Sequence, residues 1–337
     1  MKVVLDAMGG DFAPQVPVEG AIQAAKEFNI SVILVGDEGT IKKELSKYSY
    51  PKGKIEIVHA EDQVLMDEQP SKALKKKNSS IHIGTKLLKD GLADAFLSAG
   101  NTGAVMAISL FTLGRIKGVE RPAISTILPN QNGKTFLLDV GANVDCKPYH
   151  LLQFAIMGEA YAKYVLGEKN PRVGLLNIGE EETKGNELTK EAYKLLKEAR
   201  KKGLNFVGNA EGRDIYSGKF DVIVCDGFVG NVALKLSESL AKILAQILKE
   251  EIEGHFISKI SAITLKPAIK GFKKRTDYAE WGGAPLLGIR KPVIISHGSS
   301  NAKAIKNAIR VASQFAKSNL DEHIEKNIEK YGKQDGY

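Results

Sequence analysis

Apolar residues in this chain come in two textures: short unbroken runs, and longer stretches in which they recur every three or four positions. The runs are rich in Val, Ile and Leu and most are followed by Gly, Pro, Asn, Asp or Ser, as buried strands are. They predict strands at residues 2–5, 31–35, 54–58, 93–97, 123–128, 135–138, 172–176, 205–207, 221–224 and 292–295. The spaced stretches predict helices that include 16–28, 79–88, 105–113, 151–165, 187–201, 232–253 and 302–329. Strand and helix alternate for most of the length, which argues for a mostly parallel sheet with helices on both faces. The expected architecture is α/β, one domain over residues 1–329, followed by a polar, flexible tail at 330–337.

The alternation breaks at 232–275. Leu236, Leu240, Ile243, Leu244, Ile247, Leu248 and Ile252 keep helical spacing, and after Gly254 a second set follows from Phe256 to Phe272. Lys259, Lys266, Lys270, Lys273, Lys274 and Arg275 are interleaved with or follow that second set. A helical hairpin is expected. Two readings of it are compatible: packing on the core or on a second copy of the chain, and a basic amphipathic surface that touches anionic lipid.

A length of 337 residues suits one large α/β domain or two medium ones, and 43% apolar with 26% charged residues argues against wholesale disorder. Two cysteines are too few for a disulfide framework and fit a reducing cytoplasm. Asp6 and Asp11 interrupt any basic-then-apolar leader pattern at the start. Residues 95–114 carry no formal charge, but their SAGNTG portion would leave backbone groups unpaired in lipid. A buried strand, a turn and a buried helix are expected there. The net charge of +8 suits an acidic protein, an anionic membrane surface or an anionic small substrate. Only eight of the 48 cations are Arg, and no basic stripe interleaved with aromatics appears, so nucleic acid is not an expected partner.

The placement of small polar motifs carries the chemistry. DAMGGD (6–11), SAGNTG (98–103), DVGAN (139–143), NIGEEETKGNE (177–187), CDGFVGN (225–231) and SHGSSN (296–301) each follow a predicted strand. In a parallel sheet those strand ends share one edge, so all six loops are expected to line one anionic-ligand site. Glycine lets backbone approach a ligand closely, and a following helix offers free N–H groups and its positive dipole end. The candidate ligand-contacting positions are Asp6, Gly9, Gly10, Gly100, Asn101, Thr102, Gly103, Asp139, Gly141, Asn143, Gly179, Gly185, Gly230, His297 and Ser299. Taken singly, each loop also reads as ordinary turn chemistry. Asp6 and Asp11 suit loop and helix-cap geometry better than direct contact with an anion.

Several signatures are missing. No G-x-G-x-x-G follows the first strand, so DAMGGD is not a dinucleotide fingerprint. Gly133-Lys134-Thr135 ends like a P-loop, but Leu128 stands where its first glycine belongs. The six histidines form no H-x-x-x-H pair, which argues against a zinc site; no metal is expected. Cys225 lies beside Asp226, a neighbour that raises a thiol pKa, so a buried structural role fits it better than nucleophilic chemistry. Lys184 opposes the dipole of the helix it precedes, a local conflict of the kind that marks functional sites, although solvation alone would also allow it.

In order along the chain, DAMGGD-x-AP, SAGNTGA, LDVGAN, NIGEEE-x-KG, GFVGN, GGAPLLG and HGSSN resemble the motifs of the bacterial phosphate acyltransferase family PlsX, over about residues 1–315. That resemblance implies an α/β/α sandwich related to phosphate acetyltransferases and the isocitrate dehydrogenase group, usually dimeric. The implied reaction joins the fatty acyl group of acyl carrier protein to inorganic phosphate, without a cofactor, at the membrane periphery of the cytoplasm. A membrane glycerol-3-phosphate acyltransferase is the implied partner downstream. Carried over position by position, the resemblance implies Lys184 and Asn231 as catalytic. Three rivals differ in class: a coenzyme A-dependent phosphate acetyltransferase, an NAD-dependent dehydrogenase on the related fold, and a non-catalytic lipid- or carrier-binding module.

Overall fold

All ten predicted strands form, and an eleventh joins them. They are β1 (Lys2–Asp6), β2 (Ser31–Gly36), β3 (Ile55–His59), β4 (Ala95–Ser98), β5 (Ala123–Asn130), β6 (Gly133–Leu138), β7 (Val173–Leu176), β8 (Phe206–Ala210), β9 (Val222–Val224), β10 (Ala284–Leu287) and β11 (Val293–Ile295). The unforeseen strand is β10, whose four residues contain Pro285 and lie between Gly283 and Gly288. Pro within so short a run argues against a strand until its neighbours are known. The computed structural model describes residues 1–254, 271 and 278–332. The second arm of the expected hairpin and residues 333–337 lie outside the described residues.

The helices are α1 (Gln15–Phe28), α2 (Glu38–Leu45), α3 (Pro70–Ala73), α4 (Ser80–Lys89), α5 (Thr102–Leu113), α6 (Pro148–Tyr164), α7 (Glu187–Lys201), α8 (Gly227–Gly254), α9 (Ala302–Lys317) and α10 (Leu320–Gly332). The continuous helix expected at 302–329 is two helices, divided at Asn319, which takes a left-handed φ of 45°. The last helix runs to Gly332, so Lys330–Gly332 belong to it. The uncharged stretch 95–114 is the expected strand, turn and helix, β4 and α5.

The sheet order is β3-β2-β1-β4-β11-β10-β5-β6-β9-β7-β8. Along β1, Val3 and Leu5 join one apolar cluster and Val4 the other, the two-residue alternation of a strand buried on both faces. The first cluster holds the buried sides of α1, α6, α7, α9 and α10; the second holds those of α3, α4 and α5 and the base of α8. The result is the expected three-layer sandwich.

Its polarity is not as expected. Strands β1 to β4 and β11 are parallel to one another, β10 is antiparallel to β11 and β5, and β5 is antiparallel to β6. Beyond β6, strands β9, β7 and β8 follow its direction. Hence β6, β7 and β9 run opposite to β1, β4 and β11, and their following loops leave from the other edge. The single edge expected for all six loops is two edges with three loops each. The cause is local: only Gln131 and Asn132 separate β5 from β6, whereas a parallel crossover needs a dozen or more residues.

At 28 residues, α8 spans about 42 Å. In the single chain its Leu236, Leu240, Ile243, Leu244, Ile247 and Leu248 are exposed. Among the described residues no helix is long and apolar enough to cross a membrane.

Candidate active site

The first edge gathers DAMGGD, SAGNTG and SHGSSN. Asp6 ends β1 and is buried, accepting the Ser98 hydroxyl at 2.7 Å and the Met8 N–H at 3.1 Å. Ser98 Oγ in turn accepts the Gly100 N–H at 3.0 Å. Burial pushes the Asp6 carboxyl above its ordinary range, against the hydroxyls of Ser98 and Ser80 and the N–H groups of Met8 and Gly9, which pull it down. Gly9 has no room for a side chain, since a Cβ there would lie 2.7 Å from the Gly100 nitrogen. The Asp11 N–H bonds to the Gly298 carbonyl at 2.9 Å, which stitches the first loop to the third.

Asn101 caps α5 by accepting the Ala104 N–H at 3.0 Å. Its amide donates to the carbonyls of Met66 and Glu68 at 2.8 and 2.9 Å, so it holds a neighbouring loop. Thr102 opens α5 and is exposed, with Gly103 next to it against Pro70. Gly10 has a left-handed φ of 101° and lies against Ala99 and Gly298. His297 and Ser299 are exposed; His297 Nδ1 accepts the Ser299 N–H at 3.2 Å. That contact places the proton of a neutral His297 on Nε2, which makes the ring an outward donor.

The second edge gathers the other three loops on the adjacent strands β6, β9 and β7. Asp139, fully buried, is the hub of the first of them. Its Oδ1 accepts the N–H groups of Ala142, Gly141 and Ile124 at 2.9, 3.1 and 3.2 Å, and its Oδ2 accepts the N–H and the amide of Asn143 at 2.7 and 2.9 Å. The Asn143 amide also reaches the Pro122 carbonyl at 2.7 Å, and its own carbonyl accepts the Gly227 N–H at 2.7 Å. Asn231, half-buried near the base of α8, donates to the Val140 carbonyl at 3.1 Å and packs over Gly141. Its Oδ1 and second N–H are left for other partners. Gly230 presses on the Asp139 carbonyl so closely that any side chain would collide with it.

In the third loop of this edge two of the acids are matched elsewhere. Glu180 pairs with Lys219 at 2.8 Å and Glu182 with Lys197 at 2.9 Å. Lys184 is exposed and has no carboxylate partner among the described residues. Its stem lies over Gly179, where a Cβ would come within 2.9 Å of Lys184 Cγ. Asn177 holds the Lys184 carbonyl at 3.2 Å, and Gly185 follows with a φ of 99° before Asn186 caps α7. The Lys184 cation is therefore held at the loop surface, with the Glu181 carboxylate beside Gly179 as well.

Among the described residues no hydrogen bond joins the two loop groups. Lys184, Asn231, Asp139, Gly141, Asn143, Gly179, Gly185 and Gly230 share one edge; Asp6, Gly9, Gly10, Gly100–Gly103, His297 and Ser299 share the other. Among the candidate ligand contacts, Asp6, Asn101, Asp139 and Asn143 have their polar atoms engaged by their own or adjoining segments, and for Asp6 this is the loop geometry that its sequence reading favoured. The sequence reading missed Ser98 and Ser80, the hydroxyl partners of Asp6; a Ser closing the buried run Ala95–Ser98 was the available signal. Both cysteines lie by the second edge. Burial, with Asp139 and Asp226 adding to it, pushes the Cys146 thiol up to about 12 and that of Cys225 well above its ordinary value, so neither is a nucleophile.

Burial likewise leaves the Asp139 carboxyl above its ordinary range, despite the N–H groups around it. The folded chain then holds that proton more tightly than the unfolded chain. Stability from this group is fully present below an unfolded pKa of about 3.9 and is lost as pH rises through the folded value. Asp139→Asn removes that gain in acid. The variant should lose more stability than wild type between about pH 7 and about pH 4, measured as urea midpoints. An equal or smaller acid loss in the variant would mean that this carboxyl titrates normally.

With this geometry in place, the likeness to other proteins is informative. A family model described as fatty acid synthesis protein matches residues 1–323. The phosphate acyltransferase of Pelotomaculum thermopropionicum is 57% identical over 98% of this chain and 95% of its own length. That of Aquifex aeolicus is 55% identical over 97% of each. Among solved structures, a phosphotransacetylase from Streptococcus pyogenes has a TM-score of 0.66 at 17% identity, covering 94% of each chain. A 4-hydroxythreonine-4-phosphate dehydrogenase from Klebsiella pneumoniae reaches 0.53 at 13% identity, over 94% of this chain and 99% of its own. At those identities the structural likeness is one of fold, a mostly parallel α/β sheet with flanking helices. The near full-length identity to the first two proteins goes further: the chain belongs to the phosphate acyltransferase family of enzymes.

Proposed function

We propose that the chain transfers a long-chain acyl group from acyl carrier protein to inorganic phosphate, giving acyl phosphate for phospholipid synthesis and releasing free carrier protein. The observation that carries this reading is Lys184, an exposed cation with no carboxylate partner among the described residues, on the loop adjacent to that of Asn231. Phosphate is the nucleophile. A phosphate second pKa is about 6 to 7, so much of it is already dianionic near neutral pH. A phosphate oxygen attacks the thioester carbonyl carbon, the C–S bond breaks, and the electron pair leaves on sulfur, whose thiol pKa is about 8.5. Neither a strong base nor a cofactor is required. What is required is an anion held in line with the carbonyl and donors for the developing oxyanion.

In this reading Lys184 neutralises phosphate, and the free N–H of Asn231 donates to phosphate or to the oxyanion. Acyl phosphate formed from palmitoyl-[acyl carrier protein] and phosphate is the measurement. Lys184→Ala and Asn231→Ala should each lower the rate by about 10²–10³-fold. Near wild-type turnover by either folded variant would remove that residue from the mechanism.

We further propose a homodimer in which the Gly9, Gly100 and His297 edge of one copy faces the Lys184 edge of its partner. The motive is the split of the polar loops between opposite edges of one sheet. Mixed dimers of Lys184→Ala with His297→Ala chains should recover about a quarter to a half of wild-type activity, because one of their two sites is intact. Mixtures no more active than the separate variants would place all the working groups in one chain.

The lysines at 270, 273 and 274 motivate peripheral contact with an anionic membrane, where a glycerol-3-phosphate acyltransferase would take the product. Each basic residue near such a surface contributes about 1 kcal/mol. Glutamate at all three positions should therefore abolish binding to phosphatidylglycerol vesicles while activity away from membranes persists. Unchanged vesicle binding would assign that segment to protein packing alone.

A further inference from the structure

Each loop of the Lys184 edge carries a large apolar side chain in water: Val144 is 58% exposed, Ile178 81% and Phe228 62%. Strand register sets their loops next to one another. Leu138 and Leu175 both face Val224, from β6 and β7 on either side of β9, so the three loops leave neighbouring strands about 4.8 Å apart. The bond from the Gly227 N–H to the Asn143 carbonyl locks the Val144 loop against the start of the Phe228 turn. Asp226 Oδ1 accepts the N–H groups of Phe228 and Val229 at 3.0 and 2.9 Å, which fixes the backbone that presents the phenyl ring. Exposed apolar groups on neighbouring, well-anchored loops mark a binding surface.

The neighbours of these side chains indicate what they bind. Ile178 precedes Gly179, over which the Lys184 stem packs, and Phe228 lies three residues before Asn231. An unmatched cation beside an apolar floor suits an amphiphile with an anionic head and an alkyl chain. We propose that Val144, Ile178 and Phe228 form the acyl-chain subsite that selects long chains. This inference rests on the acyl-transfer reading above. A carbonyl held by Asn231 beside a phosphate at Lys184 would lead its first methylenes onto these three side chains. The exposed leucines and isoleucines further along α8 are not part of the subsite.

Alkyl phosphates, which cannot transfer an acyl group, report chain binding separately from turnover. Calorimetric titration of wild type with butyl, octyl and dodecyl phosphate, each below its micellar concentration, should show affinity rising with chain length. Ile178→Ser and Phe228→Ser should weaken dodecyl phosphate binding by about ten- to a hundredfold and leave butyl phosphate within about twofold. Ile178→Val, a mild change at an exposed position, should give an intermediate loss. A chain-length slope that survives in the serine variants overturns the subsite. So does an equal loss at every chain length with a change in oligomeric state by sedimentation, which would assign these side chains to a copy of the chain. Wild type that binds alkyl phosphates with rising affinity but forms no acyl phosphate would overturn the acyl-transfer reading and leave the subsite standing.

Discussion

The antiparallel pairing at the centre of the sheet decides where every functional loop can be. With only Gln131 and Asn132 between them, β5 and β6 must fold back on each other. Every strand that adds beyond β6 by parallel pairing inherits the reversed direction. Three glycine-bearing loops are thereby sent to one edge and three to the other. The loops of Lys184 and Asn231 leave the same edge because β7 and β9 are parallel neighbours. The same reversal separates them from His297 and from the loop that begins at Asp6.

On each edge one buried carboxylate organises the loops. Asp6 and Asp139 both stand at the end of a buried strand, turn inward and gather N–H and O–H donors around their oxygens. A carboxylate in such a place would be costly without those donors. With them it determines the path of the backbone, and it prevents the loop from relaxing into a conformation that would fill the space in front of it. The glycines complete the arrangement, because Gly9 and Gly230 admit close contacts that any side chain would block. The two acids therefore act through the loops that they hold. Among the described residues, the Lys184 ammonium, the remaining N–H of Asn231 and Nε2 of His297 are polar groups on these loops without an internal partner.

Acyl transfer to phosphate places modest demands on a protein. The nucleophile arrives ionised and the leaving group is a good one, so placement of charge matters more than proton transfer. The loop at 177–187 illustrates how that placement is made. Glu180 and Glu182 are drawn off by Lys219 and Lys197, which leaves Lys184 exposed and without an ion pair among the described residues.

Much of this was legible in the chain itself. The buried strands were visible as β-branched runs, the six loops as glycine-rich motifs after them, and the family as the order of those motifs. These are properties of local sequence, set by side-chain burial and turn chemistry. Strand β10 escaped because a proline in a four-residue run has no local signature of a strand; only its pairing with β5 and β11 makes it one. The break at Asn319 escaped because the apolar spacing of the two helices is continuous across it. Sheet polarity and the inward turn of Asp6 and Asp139 depended on tertiary structure for a different reason. Which edge a loop leaves from follows from pairings between distant segments, and Asp6 meets its hydroxyl partner 92 residues away. The sequence determined which groups the loops carry; only the folded sheet decided which of them face one another.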